Sequence, residues 1–194
     1  SEFESSSSKS AVIIKSTVKC DDLTKYYKNK AAYYSTFYDK KGKLLKDTAI
    51  KFKLNSKTHS VKTNSKGVAK LDINLNPGKY SIISQNLKTS ESITKTITIK
   101  SLIETKDLTM NFEDGSKFNV KIFNSNGKAS PNKKVTIKVN GKSYTKTTDK
   151  SGTISLPINL PIGKYTITTE YDGLKSTNKI TVNKIIKHSE FTHS

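Results

Sequence analysis

The stretch LDINLNPGKYSI at residues 71–82 reappears at residues 156–167 as LPINLPIGKYTI. In both stretches apolar and polar residues alternate, and a Gly-Lys-Tyr triplet opens the second half of the run. Alternation with period two is typical of a β-strand that has one buried face and one solvated face. Each copy therefore predicts a strand, a tight turn and a following strand.

The two copies lie 85 positions apart, and the same shift aligns much of the rest of the chain. The aligned sets are Asp22-Leu23-Thr24 with Asp107-Leu108-Thr109, Gly42 with Gly127, Ile50, Phe52 and Leu54 with Val135, Ile137 and Val139, and Gly67 with Gly152. Such agreement at one offset indicates a tandem duplication. The period is too long for a solenoid repeat and suits a small β-sandwich.

Each copy is rich in alternating runs, and no segment of ten or more residues has the periodicity of an amphipathic helix. In the second copy, seven strands are expected, at about 107–112, 117–123, 134–139, 143–148, 153–158, 164–171 and 176–183. The prediction is an all-β chain of tandem immunoglobulin-like sandwiches. We expect a tag or linker at 1–10, domains at 11–102 and 103–187 with a short linker near 101–105, and a tail at 188–194.

The Gly-Lys-Tyr triplet has a structural interpretation. Tyr80 and Tyr165 each follow a proline-containing turn at the start of a strand. This pattern resembles a tyrosine corner, in which a buried ring sends its hydroxyl back to a backbone group just upstream. The preceding glycine supplies a backbone geometry that the tight entry requires.

Charge limits the classes of partner. The net charge is +19 and all 35 basic residues are lysine. Lysine is a hydrated point charge, whereas the bidentate contacts of nucleic-acid recognition favour arginine, so no nucleic-acid partner is expected. The charge predicts either a salt-dependent attraction to anionic surfaces or simply a well-solvated exterior. Cys20 is the only cysteine, which excludes an intrachain disulfide.

Three segments together resemble a known family. They are DLTKYYKN, KLDINLNPGKYSI and VTIKVNGKSYTKTTDKSGTISLPINLPIGKYTI. They are similar to the immunoglobulin-like repeats of archaeal (methanogen) adhesin-like cell-surface proteins, over about residues 18–187. The resemblance implies an extracellular stalk or adhesion module of a large cell-surface protein, with no catalytic residues. The chain departs from the family pattern at Pro161-Ile162-Gly163, where the proline is displaced by one position.

No constellation points to an enzyme or to a metal site. His59, His188 and His193 do not share a metal-ligand spacing, and no nucleotide-binding or nucleophile motif is found. The acidic pairs Asp21-Asp22 and Glu113-Asp114 lack the run of oxygen ligands that calcium needs, and are better explained as turn or ion-pair residues.

The two copies disagree at two tyrosines. Tyr26 aligns with Asn111, and Tyr34 aligns with Asn119. The polar residues of the second copy suggest that both tyrosines face solvent. With Lys25 and Lys28 nearby in sequence, they are candidates for stacking on a sugar or receiving an anionic polymer. Ordinary strand packing, or contact with a neighbouring domain, is the alternative.

A covalent cross-link is a further candidate. Lys106 near the first strand, with Asn178 and Asn183 on the last, could form an isopeptide bond if an acid and an apolar pocket surrounded them. Because each such bond releases ammonia, the intact mass of the protein tests this hypothesis.

The sequence thus predicts two tandem immunoglobulin-like repeats of a cell-surface adhesin-like protein, which act as a stalk or spacer and in cell adhesion. The alternative is a module that binds carbohydrate or anionic cell-wall polymer through exposed Tyr and Lys. Partners would be host or neighbouring-cell glycans or such a polymer. We expect an extracellular monomer with no cofactor, no metal and no membrane span.

Overall fold

A computed structural model describes residue 11 and residues 13–187 of the chain. Within these residues every regular element is a β-strand. The first repeat contains β1 Val18–Cys20, β2 Leu23–Tyr26, β3 Tyr33–Phe37, β4 Ala49–Leu54, β5 Lys57–Lys62, β6 Val68–Leu71, β7 Gly78–Gln85 and β8 Ser92–Lys100. The second contains β9 Ile103–Thr105, β10 Leu108–Asn111, β11 Lys117–Ile122, β12 Lys134–Val139, β13 Lys142–Thr147, β14 Thr153–Pro157, β15 Gly163–Tyr171 and β16 Leu174–Asn183.

The two repeats build the same pair of sheets. Each has a three-stranded sheet, in the order β1-β3-β6 or β9-β11-β14, and a five-stranded sheet, in the order β2-β8-β7-β4-β5 or β10-β16-β15-β12-β13. The predicted all-β fold of tandem immunoglobulin-like sandwiches is confirmed.

Each repeat has eight strands rather than the predicted seven. The additional strand lies in the segment SLIET, which the sequence was expected to use as a linker: Ile103–Thr105 pairs with β11. Leu102 and Ile103 are buried, so this segment contributes core residues. The chain then leaves the small sheet at Lys106 and Asp107 and enters the large sheet as β10. A strand that switches sheets after three residues leaves too short an alternation to be recognised from sequence.

By its contacts the chain divides into two compact units. Among the described residues, the first comprises 11, 13–23, 30–73 and 79–97, and the second comprises 24–29, 74–78 and 98–187. Two short segments of the first repeat, Thr24–Asn29 and Asn74–Gly78, are thus counted with the second unit. The predicted division at 102/103 follows the repeat and stays a prediction.

The core of the second unit is aliphatic. Its fully buried members come from both sheets, with Val120 and Ile122 on β11, Ile137 on β12, Ile167 on β15 and Ile180 on β16. They occupy alternate positions, as the sequence predicted, because successive side chains of a strand point to opposite faces.

The core of the first unit is more aromatic and contains a buried pair of hydroxyl groups. Phe52 makes edge-on contacts with Tyr33 and Phe37, at ring-centroid distances of 5.8 and 6.4 Å. Ser35 and Ser84 share a buried hydrogen bond of 2.7 Å between their hydroxyls. Burial, and then the neighbouring Cys20, raise the pKa of Tyr33, so its hydroxyl is kept neutral.

The sequence pattern Thr-x-x-x-Gly occurs in both repeats, and in the second repeat it holds a loop in place. The Thr148 hydroxyl donates to the Ser130 carbonyl at 2.7 Å and accepts from the Lys133 amide at 2.9 Å. Four residues later, Gly152 has φ +70°, and a Cβ there would lie 2.8 Å from the Ser130 nitrogen. The loop before β12 is therefore held by one buried hydroxyl and by one position that only glycine can fill.

The tyrosine corner is present in the second repeat. The Tyr165 hydroxyl donates to the Pro161 carbonyl at 2.8 Å, and Gly163 enters the strand with φ +155°. The ring is half-buried rather than buried. In the second repeat, the stretch LPINLPIGKYTI is thus part of the fold.

We expect Thr148→Val to lower the free energy of unfolding by about 1–3 kcal/mol, because it removes the partner of the buried Ser130 carbonyl and of the partly buried Lys133 amide while preserving shape. Urea unfolding followed by fluorescence measures the loss. Thr145→Val, on the exposed face of β13, is the matched control and should cost little. Equal losses in the two variants would contradict the stabilising role assigned to the Thr148 hydroxyl.

Candidate functional site

In the second repeat, the short strand β10 and the last strand, β16, lie side by side and run in the same direction. Leu108 pairs with Ile180, Thr109 with Thr181, Met110 with Val182 and Asn111 with Asn183. We call these eight residues the terminal-strand pair. Met110, Ile180 and Val182 are buried in the core. The pair therefore combines a parallel hydrogen-bond ladder with apolar contacts on one face.

Asp107 fixes the start of the terminal-strand pair. One carboxylate oxygen, Oδ1, accepts from the Asn178 side-chain amide and from the Lys179 backbone amide, both at 3.0 Å. The Lys179 amide is the largest influence, followed by Asn178, and together they lower the pKa of Asp107. The Asp107 side chain thus links the turn before β10 to β16, the strand with which β10 pairs.

The far end of the pair is closed by backbone and turn contacts. The Phe112 amide donates to the Asn183 carbonyl at 2.9 Å, which extends the ladder by one bond. The Asp114 carboxylate accepts from the amides of Asn111 and Ser116, at 2.8 and 2.9 Å. Hydrogen bonds from the Ser116 side chain and from these amides lower the pKa of Asp114.

The first repeat uses the same aspartate. Asp22, which aligns with Asp107, accepts from the Thr96 amide at 2.8 Å. The sequence signal for this role is the pair of aligned triplets Asp22-Leu23-Thr24 and Asp107-Leu108-Thr109, which by itself indicates only the duplication. The bonds themselves could not be predicted, because the partner lies 74 residues further along the chain from Asp22 and 72 residues from Asp107.

Of the predicted ligand residues, Tyr34 is the one whose ring is exposed, with 55% of its surface accessible. It lies on β3 in the first unit, opposite Lys70 of β6. Lys70 in turn lies 3.4 Å from the Asp72 carboxylate. The expectation that Tyr34 faces solvent is correct, and its proposed contact with a sugar stays a prediction.

The other three predicted ligand residues, Tyr26, Lys25 and Lys28, belong to the second unit. The expected exposure of Tyr26 is wrong: its ring is half-buried and packs against Phe123 at a centroid distance of 5.6 Å. The aligned asparagine was a poor guide because it has no ring to pack.

The lysines are also engaged. Lys25 is buried, and its ammonium donates to the Asn29 carbonyl at 2.7 Å. The Lys28 ammonium lies 2.8 Å from the Asp172 carboxylate, and this hydrogen bond raises the pKa of Lys28. The four residues thus do not assemble into one patch within either unit.

The isopeptide candidates are placed differently from the buried pocket that the reaction needs. Lys106 and Asn183 are exposed, and Asn178 is half-buried with its amide nitrogen bonded to Asp107. The side-chain oxygen of Asn178, Oδ1, is buried without a hydrogen-bond partner among the described residues. The expected shared apolar pocket is therefore not formed at Lys106, and the cross-link stays a prediction for intact-mass measurement.

His59 lies half-buried on β5 opposite Phe52, whereas His188 and His193 lie outside the described residues. In the described part of the chain, no three metal-ligating side chains come together. In that same part, no helix has the length and apolarity to cross a membrane.

We expect the stabilising effect of Asp107 to depend on pH. Its pKa is lowered on folding, so its contribution is fully present above the unfolded-state value of about 4 and is lost as the pH falls through the lower folded value. Asp107→Asn should therefore melt below the unmodified protein at pH 7, and the two curves should converge below that range.

Glu113→Gln is the control, because Glu113 is exposed and makes no side-chain hydrogen bond among the described residues. Its melting temperature should follow that of the unmodified protein across the whole pH range. A difference between Asp107→Asn and the unmodified protein that is the same at pH 2 and pH 7 would contradict the role assigned to the carboxylate.

Comparison with known proteins gives only distant likenesses. No protein-family model and no curated protein matches the chain. Among solved structures, it is similar to a Ca²⁺-stabilised adhesin with which an Antarctic bacterium binds ice (14% identity, 88% of this chain and 49% of that chain, TM-score 0.32). It is also similar to invasin, a bacterial integrin-binding protein (18%, 86% and 38%, 0.37), and to the I9–I11 tandem of titin (15%, 86% and 64%, 0.36).

The chain spans less than half of the first two solved structures it matches, 49% and 43%. At these TM-scores the likeness carries no argument about function, which is argued below from the residues of this chain.

Proposed function

We propose that the chain is a load-bearing spacer: a tandem pair of immunoglobulin-like modules in an extracellular, cell-surface adhesin-like protein, structural rather than catalytic. The observation that supports this proposal is the parallel direction of the terminal-strand pair. Adhesion exposes a stalk to tension along the chain. The direction of the paired strands determines how each module resists that tension.

In a parallel pair, the start of the first strand and the end of the last strand lie at opposite ends of the ladder. Tension on the chain pulls Leu108 one way and Asn183 the other. The two strands must then slide past each other along their common axis, and all the ladder bonds between them are loaded together. An antiparallel hairpin pulled from its two free ends would instead open one bond at a time.

The neighbouring strand β9 responds differently. It is antiparallel to β11, with Ile103 opposite Ile122 and Thr105 opposite Val120. Tension applied before Ile103 detaches this three-residue strand from its free end. We therefore expect β9 to detach first, and Asp107 to hold the start of β10 against Lys179 until the terminal-strand pair shears.

Single-molecule pulling of the whole chain from its two ends tests the proposal. The second unit should unfold in one event that lengthens the chain by about 25 nm, from roughly 3.5 Å per residue over residues 108–183 less about 1 nm that the folded ladder already spans. Asp107→Ala should lower the force of that event without changing its length, because it removes two hydrogen bonds that lie in the line of force.

Asp149→Ala is the matched control. Its carboxylate also accepts two hydrogen bonds on one oxygen, from the amides of Ser151 and Thr153, but these lie in a turn outside the terminal-strand pair. It should lower the stability measured in urea and leave the unfolding force nearly unchanged. Equal forces for the two variants, or unfolding in many small steps, would contradict the proposal.

A further inference from the structure

The second unit contains a crevice between the edge strands of its two sheets. It has a volume of about 510 Å³ and lies between the β12–β13 hairpin and the segment that follows β14. Val139, Leu156 and Ile158 form its floor, and all three are at most 5% exposed. This size is within the range of small-molecule sites, about 300–1,000 Å³, and the floor is apolar as such sites require.

The register of the hairpin explains why the crevice is rimmed by charge. Lys142 pairs with Val139, Tyr144 with Ile137 and Lys146 with Val135. Paired residues of an antiparallel ladder point to the same face, so these three side chains of β13 lie on the core side of the sheet. Tyr144 is half-buried against the core, whereas both lysines remain exposed at the opening.

Within the described residues, no hydrogen bond or ion pair involves the side chains of Lys142, Tyr144, Lys146, Asn140 or Asn159, all of which line the crevice. No acidic residue lines it. By contrast, Glu170 of β15, which lines a separate shallow depression, forms ion pairs with Lys138 and Lys175.

The first repeat does not repeat this arrangement. At the corresponding positions of β5, the residues facing the core side are Lys57, His59 and Val61, opposite Leu54, Phe52 and Ile50. The phenol ring of Tyr144 and one of the two ammonium groups are therefore specific to the second unit, since His59 and Val61 stand at the corresponding positions. Since a feature shared by both copies serves the fold, a set of unpaired polar groups found in one copy is a candidate for binding.

We propose that this crevice binds an acidic saccharide, with a sugar ring over the apolar floor beside Tyr144 and a carboxylate or sulfate at Lys142 and Lys146. The C–H faces of a sugar ring suit an apolar floor and a tyrosine ring. The amides of Asn140 and Asn159 supply donors and acceptors for hydroxyl groups. Two ammonium groups with no acid beside them favour an anionic ligand.

The spacing of the lysines favours an oligosaccharide. Lys142 and Lys146 are four residues apart on one strand, which is about 13 Å at 3.3 Å per residue. This distance exceeds a single sugar ring, so each lysine would meet a different ring of a chain. The proposal is independent of the load-bearing role, because it concerns β13 and the loop after β14 and not the terminal-strand pair.

Calorimetric titration of the whole protein with a tetrasaccharide that contains glucuronic acid tests the proposal, beside the same tetrasaccharide with its carboxyl groups reduced. The acidic probe should bind, and its affinity should fall as salt is raised. The neutral probe should bind at least about tenfold more weakly, which corresponds to about 1.4 kcal/mol. Absence of binding by both probes, or equal binding, overturns the proposal.

Variants locate the site. On the core side, Tyr144→His with Lys146→Val gives β13 the side chains that β5 carries in the first repeat, so the variant should fold. It should lose at least about tenfold in affinity. Lys150→Gln removes the same charge from an exposed turn outside the crevice, and should leave the affinity unchanged. If Lys150→Gln lowers the affinity for the acidic probe equally, binding depends on the net charge of the protein, and the assignment of the site to the crevice is wrong.

Inward-pointing lysines on an edge strand also protect sheets against edge-to-edge association. If this is their sole role, the Tyr144→His, Lys146→Val variant will associate or aggregate more than the unmodified protein and will bind the acidic probe as well as before. That result also overturns the proposal.

Discussion

The structure of each repeat depends on joining the two ends of its own chain. In the second repeat, β10 and β16 are separated by most of the domain sequence, yet they form a parallel ladder four residues long. The entropy of closing so long a loop must be offset by that ladder, by the burial of Met110, Ile180 and Val182, and by the Asp107 carboxylate at its start. Once the ends are joined, both sheets are closed over one core, and tension along the chain loads the ladder in shear.

Local patterns predicted much of this fold. Alternation in Val135, Ile137 and Val139, and the Asn140-Gly141 turn, correctly indicated a hairpin over β12 and β13. The 85-residue offset correctly indicated two copies of one sandwich. The short strand Ile103–Thr105 was missed because three residues carry no periodicity, and the Asp107 bonds were missed because nothing local in the sequence identifies a partner 72 residues away.

The candidate site was predictable only in part, for a related reason. Comparison of the copies correctly identified Tyr34 as exposed, but it failed for Tyr26, whose ring packs on Phe123 where the aligned asparagine has no ring to bury. A polar residue in one copy is thus weak evidence of exposure in the other. The crevice beside Tyr144 depends on two edge strands of different sheets, β13 and β14, and this proximity becomes apparent only with the topology.

Native-state hydrogen exchange tests most directly whether the terminal-strand pair holds the domain together. The amides that pair β10 with β16 should exchange only through global unfolding, with protection that matches the free energy of unfolding from urea, whereas those of β9 should exchange through local opening. Amides of β10 that exchange as fast as those of β9, while the rest of the core stays protected, would mean that β10 detaches alone. The terminal-strand pair could then not be the element on which the fold depends.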